Sequence, residues 1–136
     1  MILSDPTRIM AGILLLSLIT VESGGALMFR IVRGRQEATT LQTTFFRAGH
    51  AHAGVLLTLA LISQVLVDAA DLSGVAEWVA RTGVAIAAVL IPGGFFLSVI
   101  RPGTTQPNAL VRMIPAGAIV LAVGFGTLGV GLLAAA

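Results

Sequence analysis

Long apolar stretches separated by short polar ones run along the whole 136-residue chain. Four of them have about the ~20 residues that a helix needs to cross a bilayer. We expect helices over about residues 7–31, 42–67, 77–100 and 108–133, joined by loops too short for anything but antiparallel neighbours. The pattern predicts an all-α integral membrane protein: a single domain, residues 1–136, folded as an up-down-up-down bundle of four transmembrane helices.

Local signals at the helix ends refine these boundaries. Asp5 and Pro6 suggest an N-cap followed by a proline in the first turn of helix one. Glu77 and Trp78 should begin helix three, where the tryptophan suits an interfacial anchor. Pro92 and Pro115 should lie inside helices three and four, releasing backbone carbonyls and kinking both helices.

Composition agrees with a membrane protein and narrows the classes of function. Hydrophobic residues make up 57% of the chain, charged residues only 10%, and the mean hydropathy is +1.01. The pI of about 11.2 comes from eight arginines without any lysine. These arginines lie near the ends of the apolar runs, so they indicate membrane topology and argue against a nucleic-acid surface. The absence of cysteine excludes disulfides and thiolate ligands.

The charges are distributed unevenly between the two ends of the predicted bundle. The side with loops one and three carries Arg30, Arg33, Arg35, Arg47, Arg101 and Arg112. The other side has Arg8 and Arg81 together with Asp5, Asp68, Asp71 and Glu77. By the positive-inside rule, loops one and three face the cytoplasm, both termini lie outside, and the protein crosses the inner cell membrane.

Unusual residues recur at one depth in the predicted helices. At a rise of about 1.5 Å per residue, Glu22 lies ~13 Å and His52 ~15 Å from the cytoplasmic helix ends, with Pro92-Gly93-Gly94 and Pro115 at similar positions. An acid at such a depth costs at least ~2.5 kcal/mol unless it is paired or protonated, so Glu22 should pair or function, with Arg47, His50 or His52 as candidate partners. Kinks, glycines, an acid and two imidazoles at one depth predict a pocket.

The glycines have a second interpretation, close helix packing. Packing is the expected role of a set on helix four, namely Gly124, Gly126, Gly129 and Gly131. Pocket and packing remain open for Gly24, Gly25, Gly93 and Gly94. The glycine face of helix four exceeds what a four-helix monomer needs, which predicts a homo-oligomer.

The two histidines suggest haem more than a metal ion held by side chains alone. His50 and His52 are spaced i, i+2 and point about 200° apart on a helix, so they cannot chelate one ion. A structural zinc needs three or four ligands, whereas haem iron needs one or two axial ligands. Small residues around His52 would let a flat macrocycle approach, its edges packed by Phe45, Phe46, Phe95 and Phe96 and its propionates paired with Arg47 or Arg112. Alternatively, the histidines only hydrogen-bond across helices.

Segments in all four helices resemble those of one known family, styrene oxide isomerase. They are Arg8-x-Met10-Ala11-Gly12, His50-Ala51-His52-Ala53-Gly54, Gly94-Phe95-Phe96 and Pro115-Ala116. The resemblance implies a trimer of small four-helix membrane subunits that binds haem b and uses ferric iron as a Lewis acid to convert an epoxide into an aldehyde. The family's Ala-His-small-Gly run carries the axial histidine, which corresponds to His52, with Gly49 and Gly54 beside it. His50 replaces a family arginine.

Two substrate-holding residues of the family differ here, and they shape the functional hypotheses. The family's tyrosine corresponds to Phe96 and its asparagine to Thr58. Thr58 and Glu22 are therefore the remaining polar candidates for catalysis on a hydrophobic epoxide or similar small molecule. Two alternatives are haem-based electron transfer or gas sensing, and a cofactor-free small transporter or assembly subunit in which Glu22 and the histidines relay protons.

Overall fold

The computed structural model describes residues 3–136, and these form an all-α fold, as predicted. Helices α1 (Asp5–Val32), α2 (Thr40–Val67), α3 (Gly74–Ser98) and α4 (Met113–Ala134) follow one another, and a short 3-10 helix, Ala109–Arg112, leads into α4. Four segments in this part of the chain are long and apolar enough to cross a membrane. The protein is therefore a multi-pass membrane protein with a four-helix bundle.

The first two helices are capped by side chains. Ser4, not Asp5, is the N-cap of α1, and its hydroxyl accepts a hydrogen bond from the Thr7 backbone N–H at 3.3 Å. The prediction that Asp5 caps this helix was therefore wrong; Asp5 lies in the first turn, where a carboxylate still favours the helix dipole. At α2, Thr39 and Gln42 form a reciprocal capping box that fixes where the chain leaves the loop.

The third helix begins earlier than predicted. It starts at Gly74, whose φ of +59° suits a residue without a side chain, so Glu77 and Trp78 do not begin it. Glu77 instead lies in the first turn. Trp78 is 54% exposed near this end, as expected for an interfacial anchor.

Only one of the two predicted internal prolines lies beyond the first turn of its helix. Pro92 is within α3, close to its final two turns. Pro115 is the third residue of α4 and belongs to its first turn, where no earlier turn of the same helix loses a hydrogen bond. The prediction of a proline kink within helix four was therefore wrong.

Small residues hold the bundle together, with α3 packed against both α2 and α4 and with α1 packed against α2. Ala60, Ala80, Val84 and Ala87 are fully buried in these seams. Many leucine, isoleucine and valine side chains instead point outward, as a lipid-facing surface requires. These small residues let the helices approach closely around a core that also contains Leu14, Leu56, Leu57 and Ile91.

Hydrogen bonds near the helix ends show which ends lie together. The Thr39 hydroxyl donates to the Thr104 carbonyl at 2.7 Å, and the Gln42 amide donates to the Val99 carbonyl at 2.9 Å. The loop after α1 and the loop after α3 therefore lie at the same end of the bundle. This arrangement is the one that the up-down-up-down prediction requires.

The predicted packing role of the helix-four glycines holds for two of the four. A Cβ on Gly124 would lie 3.1 Å from the Gly83 Cα, and one on Gly131 would lie 2.7 Å from the Leu72 side chain. Gly126 and Gly129 have no neighbouring atom within 4 Å of such a Cβ in the described protomer.

Replacing Gly83 with alanine should destabilise the bundle by about 1–3 kcal/mol. The added Cβ would lie 2.8 Å from the Gly124 Cα, and two helix backbones would have to separate to admit it. Gly12→Ala is the matched control, because no atom lies within 4 Å of an added Cβ at that position. We would measure the free energy of unfolding of both variants in detergent; equal stabilities would contradict the packing account.

Candidate functional site

Two contacts between helices fix the relative heights of the predicted site residues. A Cβ on Gly24 would lie 3.1 Å from the His50 Nδ1, and one on Gly49 would lie 2.9 Å from the Phe96 ring. Because neighbouring helices are antiparallel, the first contact brings Glu22 level with His52 and the second brings His52 level with Gly93. The predicted layer of unusual residues therefore exists as a shared depth.

This layer is not one common pocket. Cβ atoms on Gly94 and Gly117 would collide with Ile114 and Ile91, so these glycines serve the close approach of α3 and α4. Gly24 and Gly25 lie against the His50 ring. The predicted pocket is thus only partly present, and the two histidines lie on different flanks of α2.

His50 faces a cavity of about 620 Å³ between α1, α2 and α3. Its walls are mainly apolar, and they include Gly24 on α1, Leu57 on α2, and Pro92 and Phe96 on α3. This volume is in the range of small-molecule sites. Glu22 and His52 both lie outside this cavity.

His52 lies on the other flank of α2, exposed and held in one orientation. Its Nδ1 is 2.8 Å from the Ala48 carbonyl oxygen. A carbonyl only accepts hydrogen bonds, so Nδ1 is the donor, and in the neutral ring Nε2 is then left as the acceptor. The ring leans on Phe95, with centroids 5.2 Å apart and planes 32° apart. Metal-binding histidines are typically oriented in this way by a backbone carbonyl.

Aromatic rings support the helix beside His52. Phe45 meets Phe95 edge to face at 5.5 Å, and Phe46 stacks on Phe96 at 5.6 Å. The ring of Phe96 fills the space that a side chain at Gly49 would occupy. Gly49 therefore lets α2 and α3 approach, and the Phe95 ring is the aromatic group in contact with the imidazole.

The remaining candidates lie on three elements: α2 carries Arg47, Gly54 and Thr58, α1 carries Glu22, and the 3-10 helix before α4 carries Arg112. Arg47 and Arg112 are exposed and make no ion pair within residues 3–136. Gly54 has open space beside it. The Thr58 hydroxyl donates to the Gly54 carbonyl at 2.9 Å, which leaves its lone pairs as acceptors.

Glu22 is exposed on the outer side of α1. Among the described residues, no hydrogen bond or salt bridge involves its carboxylate, so none of the three predicted partners pairs with it inside the protomer. An uncompensated acid at mid-membrane depth is costly, which marks this position as functional or as part of an interface.

A buried polar network at the opposite end of the bundle was missed by sequence reasoning. Arg81 is 2% exposed and binds the carboxylates of Asp68 at 3.0 Å and Glu77 at 2.9 Å. Its guanidinium also donates to the Thr7 hydroxyl, and its backbone carbonyl accepts from the Gln64 amide at 2.7 Å. The network ties α1, α2 and α3 together. Glu77 and Arg81 at i, i+4, with a glutamine inside an apolar run, were the available sequence signals.

Asp68 gives this network a pH dependence. Partial burial acts to raise the pKa of Asp68, but hydrogen bonds from the Ser4 backbone N–H, Thr7, Arg81 and the Ser4 hydroxyl outweigh it. The pKa of this carboxyl therefore lies well below its usual range.

We expect the protein to lose stability as the pH falls below about 4, the ordinary pKa of an aspartate in an unfolded chain. Above that value the full contribution of Asp68 is present, because both states are ionised; below it the unfolded chain binds a proton that the folded chain resists. Unfolding free energies from pH 6 to 2.5 should fall more steeply for the wild type than for Asp68→Asn. Parallel curves would contradict the assignment.

No protein-family model, curated protein or solved structure matches this chain.

Proposed function

We propose that this protein binds haem b in the membrane, with His52 as an axial ligand of the iron. The observation that supports it is the exposed His52 imidazole, whose Nδ1 is held by the Ala48 carbonyl at 2.8 Å and whose Nε2 is left available. An oriented imidazole on a membrane-facing surface has no structural use within the protomer, whereas a haem iron needs this kind of donor.

The surroundings of His52 suit a flat, largely apolar group. Ala51 and Val55, on the same exposed side of α2, are small or short, and the Phe95 ring lies beside the imidazole. Arg47 is exposed one to two turns before His52, toward the N-terminal end of α2. Its guanidinium can bind a propionate there. The residues present therefore fit haem b with one protein ligand from each chain.

We further propose that the protein isomerises a hydrophobic epoxide to a carbonyl compound. Bound haem would supply a Lewis-acidic iron. This chain offers the oxygen of Thr58 on the outer face of α2 beside the proposed site. The carboxylate of Glu22 lies at the same depth as His52 on the outer side of α1, where contact between copies would bring it to the site. These two groups are the candidates for orienting the substrate and for moving a proton. The rearrangement needs no second reactant.

Styrene oxide is the probe for this activity. The haem-loaded protein should convert it to phenylacetaldehyde, and Glu22→Gln and Thr58→Val should each lower kcat/KM by about tenfold or more. Thr44→Val is the matched control, since its exposed hydroxyl also bonds the carbonyl four residues earlier, at 2.9 Å. If the haem-loaded protein does not turn over styrene oxide and its ferrous form does not bind carbon monoxide, the result would instead favour electron transfer.

We also propose an oligomer, a trimer by resemblance, in the inner cell membrane with both termini outside. The exposed Glu22 and the unfilled positions beside Gly126 and Gly129 favour contact between copies. The arginine-rich loops after α1 and α3 lie at one end, which favours a cytoplasmic location for that end.

A further inference from the structure

The cavity on the His50 flank of α2 opens toward the membrane. Its rim carries Ile13, which is 53% exposed, and Val89, which is 67% exposed. Along α1 it extends from Met10 to Gly24, about 21 Å at 1.5 Å per residue. A molecule dissolved in the bilayer could therefore enter sideways, and the space favours one that is longer than it is wide.

The polar groups along the cavity are nearly all used by their own helices. The hydroxyls of Ser17, Thr20 and Thr82 donate to the backbone carbonyls of Ile13, Ser17 and Trp78 at 2.8, 2.6 and 2.7 Å. The imidazole of His50, at the end near Gly24, makes no hydrogen bond within residues 3–136. In its neutral form the ring therefore offers one donor and one acceptor to whatever lies in the cavity.

The described cavity lining has no charged side chain, and this selects against ions. No Asp, Glu, Lys or Arg belongs to the described cavity wall. A charged ligand would lose its hydration without gaining a counter-ion, whereas an apolar one loses little. One hydrogen-bonding atom at one end would match the unused imidazole.

We propose that this cavity binds an elongated, uncharged molecule with an apolar body and one hydrogen-bonding oxygen, held at that oxygen by His50. The site is separate from the proposed haem face, because His50 and His52 lie on different flanks of α2. It does not depend on haem: loss of haem binding would leave it standing.

Benzophenone is a suitable probe, since it is uncharged, has one carbonyl oxygen, and on irradiation inserts into C–H bonds near that carbonyl. Cleavage after methionine yields fragments 11–28 and 114–136. Fragment 11–28 contains most of the α1 wall of the cavity, so it reports labelling from the cavity. The cavity walls come from α1, α2 and α3, so fragment 114–136, from α4, reports labelling from the lipid.

For the purified full chain in lipid nanodiscs, we expect saturable labelling of fragment 11–28 over a linear background in 114–136. Ala53→Leu, which fills the cavity, should lower the saturable part about tenfold, and His50→Ala should lower it about fivefold. Ala116→Leu, at an exposed position of α4 outside the cavity wall, is the matched control and should leave the saturable labelling unchanged. Decan-1-ol should compete better than decane.

Two results would overturn the proposal. Labelling of 11–28 that never saturates, or that survives Ala53→Leu, would mean that the cavity holds no ligand. Saturable labelling that ignores His50→Ala and is displaced equally by decane and decan-1-ol would mean that a plain hydrocarbon chain of a lipid fills it.

Discussion

Replacing His52 with alanine should lower the haem-to-protein ratio of the purified protein by at least about tenfold, because the proposed axial ligand is lost. The side chain makes one hydrogen bond, to the Ala48 carbonyl of its own helix, and one ring contact, with Phe95. Its removal leaves the packing of α2 on its neighbours intact. Haem content should therefore fall while the bundle stays folded.

His50→Ala is the matched control for this experiment. The two histidines are two residues apart at the same membrane depth, but His50 lies between α1 and α2, with its ring against Gly24 and Gly25. Haem content should stay near the wild-type value in this variant. If His50→Ala lost haem and His52→Ala kept it, the iron would instead lie in the cavity on the other flank of α2.

Replacing Arg81 with methionine should destabilise the protein by about 3–5 kcal/mol, which is the usual cost of leaving a buried charge without its partner. Arg81 is 2% exposed and holds two carboxylates, Asp68 and Glu77. Methionine keeps most of the volume, so the lost energy reports the charge and the hydrogen bonds. The midpoint of unfolding in detergent should fall accordingly.

Arg8→Met measures the contribution of an arginine near the same end of the bundle. Its ion pair with Asp5 is largely exposed, with side chains 62% and 78% accessible, so we expect a change within about 1 kcal/mol. If Arg81→Met were as mild as Arg8→Met, the buried network would not be what fastens α1 to α2 and α3.

The sequence predicted the helices well because their signal is local. Twenty apolar residues in a row indicate a span wherever its neighbours lie, and the observed helices differ from the expected ranges by only a few residues. The errors at Asp5 and Glu77 came from choosing one residue among adjacent candidates for a helix end, and the error at Pro115 came from expecting α4 to start at about residue 108 when it starts at Met113. Ser4, Gly74 and the 3-10 turn before α4 perform those roles.

The site was harder to predict because it depends on how each helix is rotated. A helix that is apolar all round, as α4 nearly is, does not show which side faces its neighbours. Depth could be read by counting residues, so Glu22 and His52 were correctly expected near one level. Rotation then separated them: His50 faces the cavity, His52 faces outward, and Glu22 lies on the outer side of α1. Arg81 was interpreted as a topology marker for the same reason.

The visible absorption spectrum of the detergent-purified protein, oxidised and reduced, tests the central claim most directly. We expect a Soret band, with a reduced spectrum typical of haem b and one haem bound per chain. A colourless protein that gains no Soret band after haem is supplied would contradict the account.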